Sequence, residues 1–153
     1  MTITITLGRS NVIDDMRVKS HFEAAAISDA EERYIVEAGS EKASELNQSV
    51  TDAFAEVSSI VRQFITGEAT ASANDSYRAA GDLVLVLEVP ARKSTALAVP
   101  LADALHKYAV DSALVKFYHA VSRPNFGDMH ERELVTDKAN IDILLFTKQE
   151  PTY

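Results

Sequence analysis

The stretch Leu83-Val84-Leu85-Val86-Leu87-Glu88-Val89-Pro90 constrains this chain most, because it reads as a strand that is apolar on both faces inside a largely helical sequence. Successive side chains of a strand point to opposite faces, so Leu83, Leu85, Leu87 and Val89 share one side and Val84 and Val86 the other. Glu88 is the polar exception. The other strand-like stretch is Thr2-Ile3-Thr4-Ile5-Thr6-Leu7, whose strict alternation predicts one buried face. Two strands alone make a marginal sheet. Strand 83–89 therefore needs cover on both sides, from the chain's own helices or from a neighbouring copy.

The remaining pattern is helical. Gly8 ends the first strand, and Ser10 or Asn11 can cap a helix over about 11–26 with Asp14 and Asp15 in its first turn. Ser28-Asp29-Ala30-Glu31 matches a capping box ahead of a short helix near 31–38. Ser40 is a suitable cap for the next helix. Leu46, Val50, Phe54, Val57, Val61 and Phe64 recur at steps of three and four, which predicts an amphipathic helix over about 41–65. Residues 66–82 are small, polar and patternless, a long loop. Pro100 suits the first turn of a helix over about 99–121, whose wide apolar face predicts a central position. His119 falls on that face. After the turn Arg123-Pro124-Asn125-Phe126-Gly127, a last helix over about 128–147 has Leu134, Ile141, Leu144 and Leu145 as its apolar stripe. The expected fold is mainly α with a small β component. It is a bundle of about four helices, two short strands (2–7 and 83–89) and the loop 66–82, in a single domain over 1–153.

Chemistry is sparsely signalled. The chain has no cysteine, which removes disulfides and thiolate zinc sites. Its first residues show neither a basic nor an apolar leader segment, so no signal peptide is expected, and no run is apolar enough to span a membrane. The net charge of −8 and the scattered Lys and Arg argue against sequence-specific nucleic-acid binding. None of His21, His106, His119 and His130 has a histidine four residues away, the spacing of a helical metal pair. His106 has Asp103 three residues before it, which reads as a surface helical contact. Asp128, His130, Glu131 and Glu133 cluster where a helix dipole favours acidic residues. No nucleophile elbow or phosphate loop is present. Phe117-Tyr118 reads as core and rim. The expectation is a non-enzymatic protein with no catalytic residues, no metal site and no cofactor.

One resemblance rests on the order of these parts. Gly8-Arg9-Ser10-Asn11-Val12-Ile13-Asp14-Asp15-Met16 opens a helix after a short strand, the long helix from 41 and the apolar strand 83–90 follow, and Tyr108-Ala109-Val110-Asp111-Ser112-Ala113-Leu114-Val115-Lys116-Phe117 precedes a closing helix. Over nearly the whole chain this layout resembles small virion proteins of tailed bacteriophages and prophages of gut bacteria, including the crAss-like group, which are similar to helical head–tail connector (neck ring) proteins. The resemblance implies a ring-forming structural component that bridges portal and tail. Its partners would be copies of itself, the portal, and tail or other neck proteins, with no sequence-specific nucleic acid and no membrane. It would assemble in the host cytoplasm and reside in the virion. Candidate subunit contacts are Thr2, Thr4, Thr6, Val84, Val86 and Glu88 on the strands and Tyr77 and Arg78 in the loop. The alternative is a small soluble homodimeric interaction or regulatory protein that binds partners through a strand edge.

Overall fold

The computed structural model describes residues 2–65, 76–89 and 95–146. Among these the chain is mainly helical with one small sheet, as the sequence predicts. Strand β1 (Thr2–Leu7) leads into α1 (Arg9–Ala25), α2 (Ala30–Val36) and α3 (Ala43–Ile60); strand β2 (Leu83–Glu88) is followed by α4 (Ala98–Ala120) and α5 (Asp128–Phe146). The strands pair antiparallel, with Thr2 opposite Glu88 and Leu7 opposite Leu83. Ile65 forms an isolated antiparallel bridge to Leu87, on the edge of β2 away from β1.

Several boundaries move from their expected places for local reasons. Helix α1 starts at Arg9, one residue after Gly8, without a side-chain cap from Ser10 or Asn11. Asp29, not Ser28, caps α2, its Oδ1 accepting from the Glu31 N–H at 3.0 Å. The end of α2 is held by Lys42, whose ammonium donates to the main-chain carbonyls of Tyr34, Ile35 and Glu37. A cation placed on terminal carbonyls is what a helix C-terminus favours. Helix α3 stops at Ile60 and tightens into a 3₁₀ turn over Arg62–Phe64. At the end of α4, Ser122 takes a left-handed conformation (φ 59°), and the Arg123 N–H donates to the Tyr118 carbonyl at 2.8 Å. That is a Schellman closure made without glycine.

Helix α4 is central. It packs against α1, α3 and α5 and against β1. Its residues Ala109 through Leu114 are all buried, which requires apolar or paired side chains around the full circumference. Leu46, Val50, Phe54, Val57 and Val61 of α3 and the turn after it join this core, as their spacing predicts, together with Ile3, Ile5, Leu7, Leu83, Leu85 and Leu87 from the sheet. His119, expected on the buried face, is exposed at the last turn. The buried face passes through Phe117 and Tyr118 instead.

Of the predicted loop 66–82, residues 66–75 lie outside those described, as do Pro90 and the tail 149–153. Residues Ser76–Ala79 form a 3₁₀ turn, and Tyr77 is buried with its ring edge-on to Phe54 at 6.2 Å.

Candidate functional site

Two places combine positioned side chains with possible function: the outer face of the sheet and an ionic cluster between helices. On the sheet, pleating sends Ile3, Ile5 and Leu7 and their neighbours Leu83, Leu85 and Leu87 into the core. Thr2, Thr4 and Thr6 are exposed on the opposite face. Across from them Val84 and Val86 are half-buried and Glu88 is exposed, accepting a hydrogen bond from the Thr2 hydroxyl at 2.7 Å. The two-sided cover expected for β2 is therefore complete on one face only among the described residues. The structure brings six of the eight candidate contact residues onto this one face. Tyr77 and Arg78 stand apart from it. Tyr77 is turned into the chain's own core, and Arg78 is exposed.

The ionic cluster joins α1, α4 and α5. His130 is buried and lies between two carboxylates, Nδ1 at 3.1 Å from Asp111 Oδ1 and Nε2 at 2.5 Å from Glu23 Oε1. The second Glu23 oxygen accepts from the Tyr118 hydroxyl at 2.6 Å. Tyr118 also stacks on the His130 ring at 6.2 Å between centroids. Lys107 donates to Asp111 at 3.1 Å, to Asp137 at 2.7 Å and to Glu133 at 2.9 Å. Lys19 stands 3.5 Å from Asp111.

Burial alone would lower the His130 pKa, but hydrogen bonds to Asp111 and Glu23 outweigh it and raise it to about 9, so the ring is an imidazolium at neutral pH. Burial pushes Asp111 up, yet His130, Asp137 and Lys107 together hold it well below the usual carboxylate range. Asp137 goes the other way. Burial and its hydrogen bond to Asp111 raise it to about 6 against the pull of Lys107. Its Oδ2 is buried and has no hydrogen-bond donor. Below about pH 6 Asp137 takes up a proton, which turns it from an acceptor into a donor beside the ionised Asp111. Tyr118 is raised far above its ordinary value by burial and by Glu23.

Chemically this arrangement is closed. Both ring nitrogens of His130 are engaged by the chain's own carboxylates, leaving neither free to exchange a proton with a substrate. Among the described residues no group of three or more His, Asp or Glu could hold a metal ion. What the cluster does is tie three helices together through paired charges, with Asp137 Oδ2 left without a donor. A second group works the same way on the other flank of α4. Glu56 of α3 accepts from Ser112 at 2.7 Å, Lys116 at 2.5 Å and Tyr108 at 3.3 Å.

Sequence reading placed His130 and Glu133 in an ordinary acidic first turn and missed Asp111 and Asp137. A signal was present. His130 and Asp137 sit seven residues apart on the same helical stripe as Leu134 and Ile141, and Asp111 interrupts the apolar centre of α4. His106 pairs with Asp15 at 2.5 Å, not with Asp103, and His21 pairs with Glu37 at 2.8 Å.

The chain matches no family model, no curated protein and no solved structure. Among the described residues no helix is long and apolar enough to cross a membrane.

Proposed function

We propose that this protein is a non-enzymatic structural subunit of a phage virion, a ring-forming component of the neck that bridges portal and tail. It works by contact with copies of itself and with the rings above and below, and its acidic surface repels passing DNA. The observation that carries the reading is the outer face of the sheet. Half-buried Val84 and Val86 lie there beside the exposed row Thr2, Thr4 and Thr6, and β1 carries no charge, proline or bulge of the kind that protects an edge strand. A neighbour's surface covers such a face without any rearrangement of the core. The closed ionic cluster supports the non-enzymatic part, since its only basic ring is committed to internal partners.

Imaging the particle that carries this protein tests the reading. A closed ring of copies around the portal–tail axis, with the sheet at a subunit boundary, is the expected result. Absence of the chain from purified particles, or turnover of a small substrate by the isolated chain, overturns it.

A further inference from the structure

Helix α5 has a second apolar stripe that faces water. Val135, Ile143 and Phe146 are 74%, 60% and 52% exposed, one side of the Phe146 ring resting on Phe64 at 5.3 Å between centroids, and Ala139 between them is exposed as well. At about 100° per residue these four positions lie within roughly 80° of one another, along roughly 16 Å of helix. The stripe is opposite the buried one, which runs through His130, Asp137, Ile141 and Leu145. Single exposed apolar residues are common on soluble proteins, but four aligned over three turns form a seam.

We infer that this seam is a self-association face on which two copies of α5 pack antiparallel about a twofold axis at Ala139. The charges along its rim identify the occupant. Lys138 and Asp142 flank the seam on the same side and, among the described residues, neither has an ion-pair partner within the chain. A twofold at Ala139 sets Val135 against the second copy's Ile143 and brings Lys138 beside the second copy's Asp142, and symmetry makes both pairs twice. The small Ala139 side chain at the crossing lets the axes approach to about 8 Å. A parallel pair would instead set Val135 against its own twin and Lys138 beside a non-equivalent flank. The inference goes beyond the ring reading and does not rest on it. It concerns the purified chain, whereas the ring is read in the particle, so either can fail alone.

The absence of native cysteine makes the register directly testable. Under mild oxidation Ala139→Cys should give a disulfide-linked dimer. Val135→Cys alone should give at least tenfold less, and Val135→Cys with Ile143→Cys should restore linking. By sedimentation the unmodified chain should dimerise with concentration. Ile143→Asp should weaken that association at least tenfold without moving the melting temperature at concentrations where the native chain is monomeric. Lys138→Asp should weaken it too, and adding Asp142→Lys should recover it. A chain that stays monomeric at every concentration overturns the inference. So does Val135→Cys linking as readily alone as Ala139→Cys, or a seam that binds only some other protein.

Discussion

The guanidinium of Arg9 holds the main-chain carbonyl of Tyr77 at 2.7 Å. The same side chain donates to the Gly81 carbonyl at 3.1 Å, the Asn47 carbonyl at 2.9 Å and the Thr51 hydroxyl at 3.0 Å, while its face lies 5.6 Å from the Phe54 ring centre. Asp82 accepts from the Arg9 N–H at 2.9 Å, closing the first turn of α1 where no local cap exists. One residue at the start of α1 thereby fastens the approach to β2 onto α3.

Replacing Arg9 should cost far more than its place in the sequence suggests. Arg9→Met leaves the buried Tyr77 carbonyl and the part-buried carbonyls of Gly81 and Asn47 without this donor, and the expected loss of stability is about 3 kcal/mol by urea denaturation. Arg9→Lys should recover less than half of it, because an ammonium cannot reach in a fork to carbonyls on two segments. The segment 76–82 belongs to the stretch 66–82 that the sequence predicts to be a long loop. With this anchor, trypsin should cut slowly after Arg78 in the native chain and quickly in Arg9→Met.

The two faces of β2 should respond differently to substitution. Leu85 is fully buried, and Leu85→Ala should lower stability by about 2–5 kcal/mol. Val86 is half-buried on the outer face. Val86→Asp should keep a cooperative melt close to that of the native chain while abolishing incorporation into particles. Collapse of the fold by Val86→Asp would show that the outer face is internal cover and not a contact surface.

The paired carboxyls give a pH dependence of defined sign. Asp137, raised to about 6, holds a proton that the unfolded chain releases near pH 4, so its contribution is complete below that point and is lost as pH rises through 6. Asp137→Asn imitates the protonated carboxyl, keeping an acceptor for Lys107 and a donor for Asp111. The variant should melt higher than the native chain above pH 6, and the difference should vanish toward pH 4. His130, raised to about 9, contributes fully below pH 6.5 and progressively less as pH rises through 9. His130→Gln should flatten that alkaline limb in a series of thermal melts.

Ser122 occupies a backbone conformation that suits glycine, with φ 59°. Ser122→Gly relieves the clash at its Cβ at some cost in unfolded-state entropy, and a net gain of about 0.5–1 kcal/mol is expected from calorimetry. A loss would mean that the Ser122 side chain contributes more than its backbone conformation costs.

The sequence by itself determined the element types and their order, because periodicity is a local property. Steps of three and four from Leu46 to Val61 specify a helix buried on one side whatever lies opposite, and the alternation of Thr2–Leu7 specifies which residues face the core. The breadth of the apolar face from Leu101 to Phe117 was enough to make α4 central. Tertiary structure decided what the charged residues do. Arg9 and Tyr77 are 68 positions apart, and Glu23 and His130 are 107 apart. No spacing rule relates side chains across such intervals, since packing alone brings them into one low-dielectric space where they must satisfy one another. The same holds for Val84 and Val86. Their apolar character was plain in the sequence, but how much water reaches them depends on which helices the sheet turns toward, and those helices cover its other face.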